Sequence, residues 1–135
     1  MLKEKAESYY LSGYNCAECI LRAANDLYVL DLDENALHLV SGFGGGMQVG
    51  DACGALCGSI SVISRQLVKT KAHDTASLQP MIQKMVSDFE TQFHTIRCKE
   101  IKPQWFNPDT RCLKTVHIAA DILEKIIAQW KEKNL

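Results

Sequence analysis

The stretch TRCLKTVHIAADILEKIIAQWK, residues 110–131, decides the fold class. Within it Leu113, Val116, Ala120, Leu123, Ile127 and Trp130 recur at steps of three and four, while Lys114, Asp121, Glu124 and Lys131 fall between them. Side chains at that spacing share one face of a 3.6-residue helix, so the segment reads as an amphipathic helix with its apolar stripe on a core. Working back along the chain, Leu78, Ile82, Met85, Phe89 and Phe93 repeat the pattern opposite Gln83, Lys84, Ser87, Asp88 and Glu90, which predicts a helix from Thr75 to Ile96. Leu56, Ile60, Ile63 and Leu67 predict another over Ala52 to Lys69. Ala17, Leu21, Ala24 and Tyr28 predict one over Cys16 to Leu30. Shorter helices are expected at Leu2 to Leu11 and Asp33 to Ser41. No segment alternates apolar and polar residues with the β-branched enrichment of a strand. The expected architecture is therefore all-α: one domain over residues 1–135, a helical bundle of five to six helices. Its breaks fall at Ser12-Gly13, at Gly42 to Gly46 with Gly50, and at Lys102 to Asp109, which holds Pro103 and Pro108.

Composition narrows the function classes. Apolar residues make up 47% and charged residues 23% of 135 residues, an ordinary globular balance in a chain long enough to bury roughly two-thirds of its surface. A net charge of -1 gives no basic field for phosphates, so neither nucleic acid nor an anionic membrane is an expected partner. The N-terminal MLKEKAESYYLSG carries charges where a secretion signal needs an apolar run, which points to the cytoplasm. Ser-His-Asp order, paired catalytic carboxylates and HExxH are all missing, which argues against a hydrolase. The loop Gly42-Phe43-Gly44-Gly45-Gly46-Met47-Gln48-Val49-Gly50 lacks the Lys-Ser/Thr ending of a phosphate loop and follows a predicted helix rather than a strand. It reads instead as a turn that brings backbone close to the cysteines.

Six cysteines remain as the unusual feature: Cys16, Cys19, Cys53, Cys57, Cys98 and Cys112. In a reducing compartment such a set points to metal or catalytic thiols more than to structural disulfides. Asn15, with Glu18 three residues on, is a capping-box variant that puts Cys16 at the first position of its helix. Asp51 is a candidate cap for the helix of Cys53, and Asp109 or Thr110 for the helix of Cys112. Three cysteines thus fall at predicted helix N-termini, where free backbone N–H groups and the helix dipole favour thiolate, the form that attacks disulfides and binds metals. Cys98 follows the end of a helix between the basic Arg97 and Lys99, a setting that also favours thiolate. Gly54 and Gly58 allow a second backbone or a ligand to come close. Cys16-x2-Cys19 and Cys53-x3-Cys57 are one-turn pairs that would each share a helix face. Among His38, His73, His94 and His117, only His94 stands four residues from a cysteine. The competing account for any one cysteine is a small core hydrophobe.

Taken together, N-C-A-E around Cys16, F-G-G-G-M from Phe43, C-G-A-L-C-G from Cys53, and the later Cys98 and Cys112 resemble the C-GCAxxG-C-C family. The resemblance spans Tyr14 to Cys112. It implies a redox-active protein without an assigned substrate, and a related domain occurs in split-Soret cytochrome c. It maps the family cysteines onto Cys16, Cys53, Cys98 and Cys112, as catalytic thiols or, in the alternative, as metal ligands. Cys19 and Cys57 fall outside that pattern and stand as candidate resolving or auxiliary thiols. Cys19 is followed by Ile20, so the C-x-x-C-H haem attachment motif is not present.

Three functions compete. The first is thiol–disulfide or electron-transfer chemistry, a thiol oxidoreductase with an unknown redox partner and no cofactor. The second is a zinc or iron–sulfur site on the four cysteines. The third is a noncatalytic helical interaction domain, including a homodimer. Distance separates them: a shared metal site and a four-thiol relay both fail if Cys16 and Cys53 lie far apart, with Cys98 and Cys112 on another face.

Overall fold

A computed structural model describes residues 1–134. Among these residues seven α-helices run in the order α1 (Leu2–Leu11), α2 (Cys16–Tyr28), α3 (Glu34–Leu37), α4 (Gly54–Leu67), α5 (Leu78–Phe93), α6 (Cys98–Trp105) and α7 (Leu113–Lys133). Among the described residues there is no strand, only isolated bridges between Ala52 and Arg97 and between Asn107 and Arg111. The all-α reading therefore holds, and the expected count of five to six is corrected to seven.

The additional helix is α6. Pro103 lies inside it, in a stretch whose two prolines read as a break. Tertiary contacts override the propensity: the Cys98 N–H donates to the Asp51 carbonyl at 2.7 Å, and Ile101 is buried. The α5 helix is shorter than expected at both ends, stopping at Phe93 because His94 takes a left-handed conformation at φ 63°.

The helices pack α2 against α4 and α1 against α2 and α7, with α5 closing over α4 and α7. Their apolar stripes meet in one cluster that includes Leu2, Ile20, Leu56, Ile63, Phe89, Leu123 and Ile127, each nearly or fully buried. Truncating one such side chain to alanine typically costs about 2–5 kcal/mol. Gly58 makes the α2–α4 contact this tight: a Cβ there would stand 2.7 Å from the Ala17 carbonyl oxygen. Among the described residues no helix is long and apolar enough to cross a membrane.

Candidate functional site

The four family cysteines occupy the starts of four different helices. Cys16 is the first residue of α2, whose capping box is complete: Asn15 Oδ1 accepts from the N–H groups of Ala17 and Glu18, and Glu18 accepts from the Asn15 N–H. Cys53 is the N-cap residue of α4, Cys98 the first residue of α6, and Cys112 the N-cap residue of α7. The expected side-chain caps Asp51, Asp109 and Thr110 are not used. Tertiary hydrogen bonds hold these starts instead. The Cys53 N–H donates to the Ile96 carbonyl at 2.8 Å and the Cys98 N–H to the Asp51 carbonyl, so the two bonds flank the antiparallel Ala52–Arg97 bridge and tie the start of α4 to the start of α6. The Cys112 N–H donates to the Tyr10 hydroxyl at 3.1 Å.

These four starts converge on one cavity of about 250 Å³, walled by Cys16, Cys53, Cys98 and Cys112 together with Tyr10, Tyr14, Ile101 and Thr115. The exposed Lys102, Phe106 and Arg111 form its rim. Backbone from the glycine loop completes it, as the sequence suggested. Gly45 to Gln48 all have positive φ, a single left-handed turn that includes the non-glycine residues Met47 and Gln48. That turn aims the Gly45 N–H at Cys16. Gly46 packs against Cys98, where a Cβ would stand 2.7 Å from the cysteine Cβ. Gly54 lies directly against Cys16 Sγ and leaves no room for a side chain.

Cys19 and Cys57 are not part of the wall. Cys19 is wholly buried in the core, its thiol donating to the Cys16 carbonyl at 3.4 Å. Cys57 is half-buried on α4 near Asp51. His94 is exposed at the end of α5. Gly58 serves helix packing rather than the cavity.

The expectation of lowered thiol pKa is corrected for Cys16, Cys53 and Cys98. Burial pushes all three upward. The N–H groups of Gly45 and Ala17 at Cys16, and of Ala55 and Leu56 at Cys53, pull the other way but do not win. Loss of hydration is the larger effect for an anion this deep. At Cys98 the opposing cation is Lys102, not Arg97 or Lys99, because Arg97 turns to Asp51 at 3.5 Å. The thiols also raise one another: Cys98 and Cys112 act on Cys16, and Cys16 and Cys98 on Cys53. Cys16, Cys53 and Cys98 thus rest in the cavity as protonated thiols. Among the described residues no three Cys, His, Asp or Glu side chains are grouped to hold a metal ion.

Sequence reasoning missed Tyr10, Ile101, Lys102, Arg111 and Thr115. Arg111 adjoins a family cysteine, a signal that was available. Tyr10 reaches the site from a helix more than a hundred positions away, and no local pattern announces that.

An all-α fold with four cysteines brought to one cavity defines a class of cysteine-centred helical proteins. The chain belongs to the C-GCAxxG-C-C family, whose model, described as "putative redox-active protein", matches residues 14–126. No curated protein and no solved structure matches it significantly.

Proposed function

We propose that this protein carries out thiol–disulfide chemistry through Cys16, Cys53, Cys98 and Cys112. The observation that carries the reading is their convergence, from four helix starts, on one cavity. Four neighbouring thiols can pair into disulfides, each pair giving up two electrons and two protons. Burial keeps at least three of them protonated at neutral pH, so the set acts as a guarded reservoir rather than as freely reactive surface thiols. Cys112 is half-buried and adjoins the rim residue Arg111 in sequence, which supports assigning it the first encounter with an oxidant. The cytoplasm suits this chemistry, because its reductants restore thiols after each cycle.

The metal reading keeps one supporting feature. Four thiols line one small cavity, the donor number that zinc and iron–sulfur clusters use. It requires the side chains to draw closer together than they stand.

Native intact mass of anaerobically purified protein separates the readings. Thiol redox predicts a mass lighter by two hydrogens per bridge after mild oxidation, reversed by reductant, with no metal. Added zinc, or iron with sulfide, would replace it with the metal reading. Inert thiols with no metal would leave the helical interaction domain.

A further inference from the structure

The charge on the cavity wall says more about what enters it. Fourteen residues line the cavity, and none is aspartate or glutamate. The only full charges among them are Lys102 and Arg111, both cationic and both at the rim. Among the described residues neither has an ion pair. Arg111 is held in place at some cost. Its backbone is left-handed at φ 55°, within a turn closed by mutual backbone hydrogen bonds with Asn107. The Asn107 side chain also accepts from the N–H groups of Asp109 and Thr110. The guanidinium lies 4.6 Å from the centre of the Tyr10 ring, which fixes it beside Cys112. The volume, about 250 Å³, is worth roughly eight waters at about 30 Å³ each, which suits a small molecule rather than a protein loop.

We propose that the substrate of this cavity is a small anionic disulfide, drawn to the rim by Lys102 and Arg111; this rests on the thiol–disulfide reading above. The Cys112 sulfur attacks one sulfur of the substrate R–S–S–R, its proton passing to the R–S⁻ that leaves. A neighbouring cavity thiol then attacks the Cys112 sulfur of the mixed disulfide. The second R–S⁻ leaves with that thiol's proton. Two protein thiols become one disulfide, and one substrate disulfide becomes two thiols. Cation-lined clefts raise the local concentration and encounter rate of anions by about tenfold or more, an effect that salt removes.

Cys57 supplies an internal control. It lies outside the cavity; burial, and then the nearby negative charge of Asp51, push its pKa up. The test labels the reduced protein with iodoacetate or iodoacetamide, reads Cys112 and Cys57 separately by peptide mass, and normalises each rate to that of 2-mercaptoethanol. Cys112 is expected to favour iodoacetate by about tenfold at low salt, Cys57 to disfavour it, and the Cys112 preference to collapse in 1 M salt. Arg111→Gln and Lys102→Gln should each reduce the preference, and the double variant should abolish it. In parallel, 3,3′-dithiodipropionate should oxidise the protein faster than neutral hydroxyethyl disulfide, and cationic cystamine slowest, after the same normalisation. Oxidation at equal normalised rates by all three, with no iodoacetate preference, would overturn the anionic substrate and leave thiol redox standing. An iodoacetate preference without protein disulfide formation by any of them would overturn the redox reading itself, and the substrate class with it.

Discussion

The Tyr10 hydroxyl accepts a hydrogen bond from the Cys112 N–H at 3.1 Å, across 102 positions of sequence. It stands where a side-chain cap would stand, at the start of α7, and it ties α1 to the cavity wall. Burial pushes the Tyr10 phenol up to about 12, so it stays protonated at neutral pH.

Tyr10→Phe keeps the ring under Arg111 and removes only this acceptor. The expected loss is about 1–3 kcal/mol in urea unfolding, because the amide at the start of α7 loses its partner. Cys112 alkylation should also change, as its backbone anchor is gone. An unchanged urea midpoint would mean water replaces the hydroxyl.

Alkaline pH should destabilise the reduced protein. The thiols of Cys16, Cys19, Cys53, Cys57 and Cys98 all ionise above their ordinary value of 9.0. Folded-state values raised in this way favour the protonated form, so the stability they contribute is complete below pH 9. It is lost as pH rises beyond that, because the unfolded chain releases these protons first. Each thiol adds up to about 1.4 kcal/mol per pH unit to the slope. Urea midpoints measured under reductant should hold level from these groups near pH 7–8 and fall above pH 9. Cys53→Ala should make that fall shallower.

Two glycine substitutions should behave oppositely. At Gly54 a Cβ would collide with Cys16 Sγ and lie 2.9 Å from the Phe43 carbonyl oxygen, so Gly54→Ala should cost about 1–3 kcal/mol and disturb thiol pairing. At Gly42 nothing stands within 4 Å, and Gly42→Ala should change stability by less than about 0.5 kcal/mol. Thermal unfolding of both variants tests the pair. Equal effects would contradict the close approach of Gly54 to Cys16.

Cys19 and Cys16 separate packing from chemistry. Cys19→Ala should cost about 1 kcal/mol of stability and leave the number of oxidisable thiol pairs in the cavity unchanged. Cys16→Ala should remove one pair. Intact mass after mild oxidation reads the difference.

Several features were legible in the chain alone. The stripes of α5 and α7 and the Asn15–Glu18 capping box are short-range patterns, fixed by 3.6-residue periodicity and by hydrogen bonds three residues apart. The spacing of glycine and cysteine also carried the family. What reads well in sequence is what neighbours within one or two turns decide.

Tertiary structure decided the rest. It made α6 a helix despite Pro103, because the bond from Cys98 to Asp51 and the burial of Ile101 outweigh local propensity. It chose a bond to Tyr10 over caps from Asp109 or Thr110. Helix N-termini alone favour thiolate, yet the thiols of Cys16, Cys53 and Cys98 stay protonated, since hydration lost on burial depends on everything packed around them. Sequence supplied the four cysteines and helix starts for Cys16, Cys53 and Cys112; only the packing of the helices brought the four to one wall beneath Arg111 and Lys102, because burial and long-range proximity are properties of the whole chain.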